Sequence, residues 1–417
     1  MTPASAHSAA APPGVGPASS AAFSGSHIPS LDGLRGVAVL LVMVSHFAIL
    51  APGSPLQEVL IGSAKMGWIG VDLFFVLSGF LITGILIDSR GSQGYFRRFY
   101  ARRTLRIFPL YYAFVLVVLV AWPRLSGSAP TSWRDELTFL AYGSNILFAF
   151  VGWEGMPGHT THLWSLAVEE QFYLLWPLVV FGVAPQRLGR VCVGLIAAAW
   201  ASRAVLGYVF PDGIAGYALL PARMDALAMG SLLAVAVREP GWQARLRRWA
   251  LPVTVIAVLL LVTAAVFSPM LRSNEGPFPP LALHVQLLAY PAFDLLSVAL
   301  VGGCVIAFAE GRRSMLEAGW LRAFGRYSYA LYLLHVPIRN LLHNSLFPGG
   351  RLPSLLGSVL LTQLLVLIVG IAVTYALALV SWYGFERHFL RLKSRFDWRA
   401  PTAAPLAHAT LPAAGAT

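Results

Sequence analysis

The chain has 417 residues, of which 57% are hydrophobic and only 12% are charged, and its formal net charge is +12. Soluble domains carry about 25% charged residues, so the composition excludes an ordinary soluble enzyme and indicates a membrane protein with several spans. The basic residues fall in clusters beside apolar segments, which argues against a nucleic-acid-binding surface. Cys192 and Cys304 both lie inside apolar runs and predict neither a disulfide framework nor a zinc site.

Both ends of the chain have the composition of disordered segments. Residues 1–27 are rich in Ala, Pro, Ser and Gly and lack the cationic start and apolar core of a signal peptide. Residues 396–417 have the same Ala/Pro character. We therefore predict two disordered cytoplasmic tails around one membrane domain, residues 28–395.

Hydropathy predicts an all-α bundle of about ten transmembrane helices, each near the roughly 20 residues that a bilayer requires. The predicted spans are residues 34–50, 66–88, 105–122, 162–183, 189–209, 218–237, 249–268, 284–309, 325–346 and 355–385. With a cytoplasmic amino terminus, every dense Lys/Arg cluster lies on the inner side, as the positive-inside rule expects. We predict a multi-pass protein of the cell inner or plasma membrane with both termini in the cytoplasm.

One apolar stretch, residues 137–151, does not fit this alternation. It is short for a crossing, and counting it as a span would invert every later loop. We predict a partial or re-entrant helix on the outer side, which is tolerated only where protein or a water-filled cavity surrounds it. This placement indicates a cavity that opens outward.

The first span carries Arg35 at its inner end and His46 in its outer half. Eleven residues of helix separate them by about 16 Å along the axis, on one stripe. Ionisable residues inside a membrane are costly and point to function. Arg35 could alternatively be a snorkelling anchor, and His46 a hydrogen-bond donor between helices.

The second and third spans add a carboxylate and a group of arginines. Asp72, near the outer end of the second span, needs a cation or a histidine beside it, whereas Ser78 and Gly79 are typical of a packing seam. Arg102, Arg103 and Arg106 begin the third span. Their guanidinium forks suit phosphate groups, although contact with anionic lipid headgroups would explain them as well.

The fourth span begins with polar residues on one helix face. His162, Glu169 and Tyr173 share that face by their three-to-four-residue spacing. Glu169 is placed to orient or charge-stabilise a histidine that acts as a base. The neighbouring Glu170 points in another direction, and we expect it to face water.

Together these segments resemble the acyltransferase-3 family of integral-membrane acyltransferases, over about residues 28–392. The segments that carry the resemblance are Leu31–Gly36 followed by His46, Phe74–Phe80, Arg102–Arg106, Trp164–Tyr173, Arg223–Gly230 and Ser328–His335. The resemblance implies transfer of an acyl group from acyl-CoA to an acceptor hydroxyl. It also implies that the arginine–histidine pair and the arginine-rich segment are needed for activity.

The resemblance gives the Arg35–His46 spacing a mechanism. The coenzyme A phosphates are expected to bind Arg35, Arg102, Arg103 and Arg106, and the pantetheine arm rises through the bundle toward His46. His46 then acts as general base on the acceptor hydroxyl or takes the acyl group itself. Glu169, with Asp72 as the alternative, is expected to orient His46 and stabilise its imidazolium form.

Further polar residues are expected to line the substrate part of the same cavity: His162, Trp164, Ser165, Tyr173, Arg223, Asp225 and His335. Arg223 and Asp225 could equally form a buried ion pair that holds helices together. His159, His284 and His343 belong to no motif and have no assigned role.

The expected co-substrate is acyl-CoA from the cytoplasm, with no metal, and the expected acceptor is a carbohydrate: a surface glycan, a lipid-linked sugar or a macrolide-type glycoside. The acyl group is acetyl or another short chain. Membrane lipids are the other expected partners, and nucleic acid is not one. The alternative is a transporter or flippase of a polar or lipid-linked substrate, whose cavity would hold similar buried charges.

Overall fold

The computed structural model describes residues 27–48, 64–127, 129–157, 159–210, 213–267, 282–346, 354–355 and 358–397. These residues form helices and turns, with one isolated bridge between Leu355 and Ser358 and no strand in the described ranges. The predicted all-α class is therefore confirmed. The two predicted disordered tails lie almost entirely outside the described residues.

Fifteen α-helices follow one another in the described residues: α1 (Pro29–Phe47), α2 (Ile69–Asp88), α3 (Tyr95–Val115), α4 (Trp122–Ser126), α5 (Trp133–Leu140), α6 (Ser144–Gly155), α7 (Leu163–Gly182), α8 (Pro185–Val209), α9 (Ile214–Ala218), α10 (Leu220–Ala236), α11 (Trp242–Phe267), α12 (Tyr290–Ala309), α13 (Gly319–Leu346), α14 (Val359–Ser381) and α15 (Arg387–Arg391). Short π-helical segments join α3 to α4, precede α12 and join α14 to α15, at Leu116–Ala121, Val285–Ala289 and Trp382–Glu386.

Each of the ten predicted spans is helical over most of its described residues, and the described residues contain eight helices long and apolar enough to cross a membrane. The other two predicted spans are α7 and α13, which have 20 and 28 residues. Both are long enough for a bilayer, but they carry many polar side chains, which lower their hydropathy. These two helices contribute most of the hydroxyl and carboxylate groups of the site described below.

The apolar stretch at residues 137–151 is not a single partial helix. It contains the end of α5 and most of α6, and the chain turns between them at Tyr142, whose φ of 54° lies in the left-handed region. The α6 helix is itself kinked at Gly152, where φ is 67° and ψ is −168°. The prediction was wrong in this detail because hydropathy measures apolar length and carries no signal for a break between two short helices.

The α1 and α13 helices touch backbone to backbone. A Cβ atom added at Gly36 would stand 2.2 Å from the Leu321 carbonyl oxygen, and one added at Gly325 would stand 1.8 Å from the Asp32 carbonyl oxygen. Such close approach is possible only without side chains, as in other tightly packed membrane helices. The contact fixes the helix that carries Arg35 and His46 against α13.

A second contact of this kind joins α2 and α10. A Cβ atom at Gly79 would stand 2.0 Å from the Leu227 carbonyl oxygen, and one at Gly230 would stand 2.0 Å from the Val76 carbonyl oxygen. The packing role predicted for Gly79 is confirmed. Ser78 beside it turns the other way and takes part in the site.

Two buried ion pairs cross the same region. Arg223 of α10 pairs with Asp72 of α2, and Arg203 of α8 pairs with Asp225 of α10. The guanidinium carbon of Arg223 lies 4.4 Å from the centre of the Tyr290 ring on α12. These contacts tie four helices together through charges that are almost completely buried.

Candidate active site

A cluster of cations surrounds a cleft at one end of the bundle. Arg102, Arg103 and Arg106 come from α3, Arg35 comes from α1, and Lys393 comes from the 3₁₀ turn Leu392–Phe396, which packs against α3. This opening, with its mouth included, measures about 690 Å³. It brings together all four arginines for which the sequence predicted phosphate binding.

The cleft continues into the bundle as a second, deeper space, which measures about 770 Å³ with its open side included. Arg35, Arg103 and Arg106 line both parts, so we call the whole cavity the arginine cleft. Its deep part is lined mainly by α2, α7 and α13. The polar side chains at that depth are Ser78, Ser165, Glu169, Glu170, Tyr173, Ser328, Tyr329 and Tyr332.

A hydrogen-bonded group holds Glu169 on the cleft wall. The Ser78 hydroxyl donates to Glu169 Oε1, and the Tyr173 hydroxyl donates to Ser78 Oγ at 2.9 Å. The Arg103 guanidinium lies over the Tyr173 ring, 4.9 Å from its centre. Ser78 therefore has more than a packing role, and Glu170, which we expected to face water, lies on the wall of the same cleft.

Three histidine rings meet near the deep end of this cleft, and we call them the histidine cluster. His46 comes from α1, His335 from α13, and His162 immediately precedes α7. The ring centres of His46 and His335 are 4.8 Å apart, and those of His335 and His162 are 5.1 Å apart. Two of the predicted substrate-binding histidines thus group with the predicted catalytic one.

Backbone carbonyls fix the orientation of all three rings. Each ring donates one N–H to a carbonyl oxygen: His46 Nδ1 to Val42 at 2.8 Å, His335 Nδ1 to Tyr332 at 2.6 Å and His162 Nε2 to Leu333 at 3.1 Å. In a neutral imidazole the other nitrogen then carries a lone pair. His46 therefore offers Nε2 as its basic atom. His335 Nε2 and His162 Nδ1 are buried and have no hydrogen-bond partner within the described part of the chain.

Tyr332 and Ser165 separate the arginine cleft from the histidine cluster. Their hydroxyls are hydrogen-bonded to each other, and the Tyr332 hydroxyl also donates to the His162 carbonyl at 3.1 Å. The Tyr332 ring centre lies 5.4 Å from that of His335. Because Tyr332 lines the cleft and touches two of the histidines, the cations and the basic ring nitrogens belong to one continuous site.

Except for Lys393, the residues of this site lie within a stretch, 28–383, that matches the family model described as an acyltransferase domain. The chain belongs to the acyltransferase-3 family. The predicted resemblance is thereby confirmed over most of the chain. Polytopic helices and the arrangement of the matched motifs agree with this membership.

Acyltransferase-3 proteins from three bacteria illustrate the similarity. The chain is 30% identical to the peptidoglycan O-acetyltransferase OatA of Listeria monocytogenes over 76% of this chain and 50% of that protein. It is 30% identical to the putative peptidoglycan O-acetyltransferase YrhL of Bacillus subtilis over 75% and 48%, and 27% identical to the O-acetyltransferase OatA of Staphylococcus aureus over 79% and 53%. The chain thus spans about half the length of these relatives. No solved structure matches it.

Two predicted roles in this acyltransferase-3 site need correction. Glu169 lies about two helical turns beyond His162 on α7, toward the arginines, and no hydrogen bond within the described ranges joins it to His46. The His46 Nδ1–H instead donates to the Val42 carbonyl. Asp72 is unavailable as the alternative because its carboxylate pairs with Arg223. The structure therefore assigns the orientation of His46 to its own helix.

Three predicted substrate-binding residues also lie elsewhere. Arg223 and Asp225 do form buried ion pairs, but with Asp72 and Arg203 rather than with each other. Trp164 packs against the Tyr217 ring, with centres 4.5 Å apart. None of Trp164, Arg223 and Asp225 is among the described residues that line the arginine cleft. Their polar groups hold helices together.

Sequence reasoning missed Tyr332 and Lys393. Tyr332 belongs to the Ser328–His335 motif, three residues before His335, so its helical neighbourhood was visible although its partner Ser165 was not. Lys393 lies in a basic segment that the positive-inside rule explained completely. Its position beside Arg103 depends on the fold of the chain end.

Proposed function

We propose that this chain is an integral-membrane O-acyltransferase that moves an acyl group, acetyl or another short chain, from acyl-CoA to a hydroxyl of a carbohydrate-containing acceptor. One observation carries the proposal: a cleft with four cations that have no carboxylate partner among the described residues leads to His46, whose Nε2 is not used in the hydrogen bond to Val42. Two of the relatives are named as peptidoglycan O-acetyltransferases, one of them as putative, and these names support a carbohydrate acceptor. A lipid-linked sugar, a surface glycan or a macrolide-type glycoside has the same reactive group.

The arginine cleft has the charge that the donor requires. Within the described residues, Arg35, Arg103, Arg106 and Lys393 form no salt bridge with a carboxylate, whereas Arg102 pairs with Asp397 at the exposed mouth. Unpaired guanidinium groups are costly unless an anion completes them. Coenzyme A carries three phosphate groups, and arginine binds phosphate through two parallel hydrogen bonds.

The length of the donor fits the unbroken α1 helix. Arg35 and His46 stand on one continuous helix, so about 16 Å separates them along its axis. An extended pantetheine arm is of comparable length. With its phosphates at Arg35, acyl-CoA would bring its thioester to the Tyr332–Ser165 boundary beside the histidine cluster.

His46 supplies the base for the transfer. Its Nε2 takes the proton of the acceptor hydroxyl while the oxygen attacks the thioester carbonyl carbon. The C–O bond forms, the C–S bond breaks, and the departing coenzyme A thiolate receives the proton from His46. The ester and free coenzyme A are the products, and His46 returns to its neutral form.

Label transfer tests this function directly. Purified protein in lipid nanodiscs is incubated with radiolabelled acetyl-CoA and a panel of acceptors: oligosaccharides released from peptidoglycan, a lipid-linked sugar and a glycosylated macrolide. We expect label in at least one acceptor and a loss of about 100-fold or more in rate for His46→Ala, since general base catalysis contributes about 10²–10⁴-fold.

His284→Ala is the matched control because His284 lies just before the π-helical segment at Val285 and lines no part of the arginine cleft. It should transfer label like the wild type. An unchanged rate for His46→Ala, or no transfer to any acceptor, contradicts the proposal.

An exchange experiment separates the two routes that His46 offers. If the acyl group rests on His46 between two half-reactions, the enzyme without acceptor exchanges label between acetyl-CoA and free coenzyme A. If His46 acts only as a base, exchange requires the acceptor. We expect the acceptor-dependent result, because the neighbouring unpartnered nitrogens of His162 and His335 can share the proton.

A further inference from the structure

A second cleft, separate from the arginine cleft, opens between α4, α5 and the segment before α7. It measures about 750 Å³ with its mouth and is lined by Leu119, Trp122, Asp135, Met156 and His159, among others. It shares no lining residue with the arginine cleft. We call it the tryptophan cleft.

The helical stretch from α3 through the π-helical segment Leu116–Ala121 to α4 meets the two clefts and the histidine cluster in one order. Arg106 lines the arginine cleft, and the Phe114 ring, about 12 Å further along, lies 5.9 Å from the His162 ring. Trp122, at the start of α4 beyond the π-helical segment, lines the tryptophan cleft. The histidine cluster therefore lies between the two clefts along this helical stretch.

The same order holds on the opposite wall. On α13, Tyr332 of the arginine cleft is followed by His335 of the cluster and then by Asn340. The Asn340 side-chain amide donates to His159 Nδ1 at 3.1 Å, and His159 lines the tryptophan cleft. In the chain leading into α7, His159 precedes His162 by three residues. Three independent segments thus place the tryptophan cleft beyond the cluster.

The lining of the tryptophan cleft differs chemically from that of the arginine cleft. None of its described lining residues is Lys or Arg, and Asp135 contributes a carboxylate. Such a wall repels phosphate and accepts hydrogen bonds from hydroxyl groups. The half-exposed Trp122 ring adds a flat apolar surface of the kind that binds the carbon face of a sugar.

His159 is held in a costly conformation at this place. Its φ of 71° lies in the left-handed region, which a residue with a side chain seldom adopts. Since Asn340 donates to Nδ1, a neutral His159 ring carries its proton on Nε2 and is a donor there. Burial lowers the pKa of His159, which favours this neutral form. Strain of this kind concentrates at binding sites.

We propose that the tryptophan cleft binds the acceptor as a neutral sugar, with its ring on Trp122 and its hydroxyls on Asp135 and His159. The proposal rests on the transferase function proposed above. Donor and acceptor then approach the histidine cluster from opposite ends of the bundle. The acceptor hydroxyl reaches His46 without entering the cationic cleft.

The test uses a tetrasaccharide of N-acetylglucosamine as the probe and the full chain in nanodiscs. Trp122→Ala should raise the KM for the tetrasaccharide about ten-fold, the order of one aromatic contact. The KM for acetyl-CoA and the heat stabilisation by acetyl-CoA should not change. Trp133→Ala is the matched control, because Trp133 is exposed on the neighbouring α5 and does not line the cleft.

Asp135→Asn provides a variant that leaves packing intact, since Asp135 is half-buried and asparagine has nearly the same shape. It should raise the tetrasaccharide KM several-fold. His159→Asn keeps the left-handed backbone, which asparagine tolerates, while it removes the ring. A rise in acetyl-CoA KM with unchanged tetrasaccharide KM in these variants overturns the proposal.

Direct binding of the radiolabelled tetrasaccharide distinguishes failure of this site from failure of the transferase function. Binding that depends on Trp122 without any acetyl transfer keeps the site and overturns the function. Transfer with an acceptor KM that ignores Trp122, Asp135 and His159 keeps the function and overturns the site. Absence of binding to the wild type also overturns the site.

Discussion

The molecule holds two groups of arginines that differ in one respect. Arg203 and Arg223 each face an aspartate, and the four side chains of these pairs are at most 2% exposed. Arg35, Arg103 and Arg106 line an open cleft and have no carboxylate partner within salt-bridge distance among the described residues. A buried cation that is paired with a carboxylate of the same protein holds helices together. A cation left unmatched beside a cleft is available to a ligand.

The difference also explains why similar residues respond differently to substitution. Removing one member of a buried pair leaves the other charge in a poor solvent, which costs stability. Removing an unpaired cation relieves the repulsion between neighbouring cations. The main interaction that is lost is the contact between this cation and the ligand. Substitutions of the paired arginines should therefore lower stability, and substitutions of the unpaired arginines should weaken donor binding.

The largest effect is expected at the buried pair of Asp72 and Arg223. Asp72→Asn leaves the Arg223 charge unmatched, and such losses typically cost about 3–5 kcal/mol. Heating the purified protein and measuring the folded fraction by size-exclusion chromatography should show a markedly lower midpoint. The double variant Asp72→Leu with Arg223→Met, which removes both charges, should recover most of the loss. Normal stability of Asp72→Asn would show that the pair is not structural.

Arg103→Met is the corresponding change in the arginine cleft. Hydrogen bonds to a charged group are worth about 1.5–3 kcal/mol, so the KM for acetyl-CoA should rise about ten-fold or more. Thermal stability without ligand should change little, because Arg35 and Arg106 lose a like charge beside them while Tyr173 loses the guanidinium over its ring. Arg97→Met is the control, since Arg97 is exposed on the same helix. A loss of stability in Arg103→Met without a change in KM would place Arg103 with the structural arginines.

Lys393 should give a smaller effect, because it lines only the mouth of the cleft and its ammonium group lacks the two parallel hydrogen bonds that arginine makes to phosphate. Lys393→Met is expected to raise the KM for acetyl-CoA by less than about five-fold, which corresponds to at most about 1 kcal/mol. Lys65→Met is the control, because Lys65 precedes the first residue of α2 whereas the cleft mouth lies near the last turns of that helix. It should leave the KM for acetyl-CoA unchanged. Equal KM values for Lys393→Met and the wild type would exclude Lys393 from the donor site.

The smallest expected effect is that of salt, which should change the KM for acetyl-CoA more than it changes the stability of the protein. Raising the ionic strength shortens the Debye length to about 3 Å at 1 M, which weakens the attraction between the open cleft and the donor phosphates. The KM for acetyl-CoA should rise a few-fold, while the unfolding midpoint of the ligand-free protein moves little. A salt-independent KM would argue that the phosphates bind elsewhere.

Most of the fold could be predicted because a span is a local property. Some twenty apolar residues identify a bilayer helix whatever surrounds it. The break at Tyr142 and the pairing of buried charges are not local. Asp72 and Arg223 are 151 residues apart in the sequence, and no periodicity connects them. Orientation in the membrane stays a prediction based on the positive-inside rule.

The candidate site was predictable to a similar degree. Helical spacing placed His162 and Glu169 on one face of α7, and that face does line the site. Helical spacing predicts which residues share a face of a helix. It does not predict which residue of another helix each of them contacts. Glu169 meets Ser78 at the level of the arginines, whereas His162 meets His335 two turns away. The proposed partnership of Glu169 with His46 failed for this reason.

The glycine contact between α1 and α13 has a consequence for motion. Two helices locked backbone to backbone at Gly36 and Gly325 cannot slide or separate without losing that contact. His46 and His335 therefore travel as one rigid body. His162 belongs to neither helix, since it stands where an irregular segment enters α7. Any widening that admits a bulky sugar should hinge at this segment, and the donor side of the site can keep its arrangement while it does.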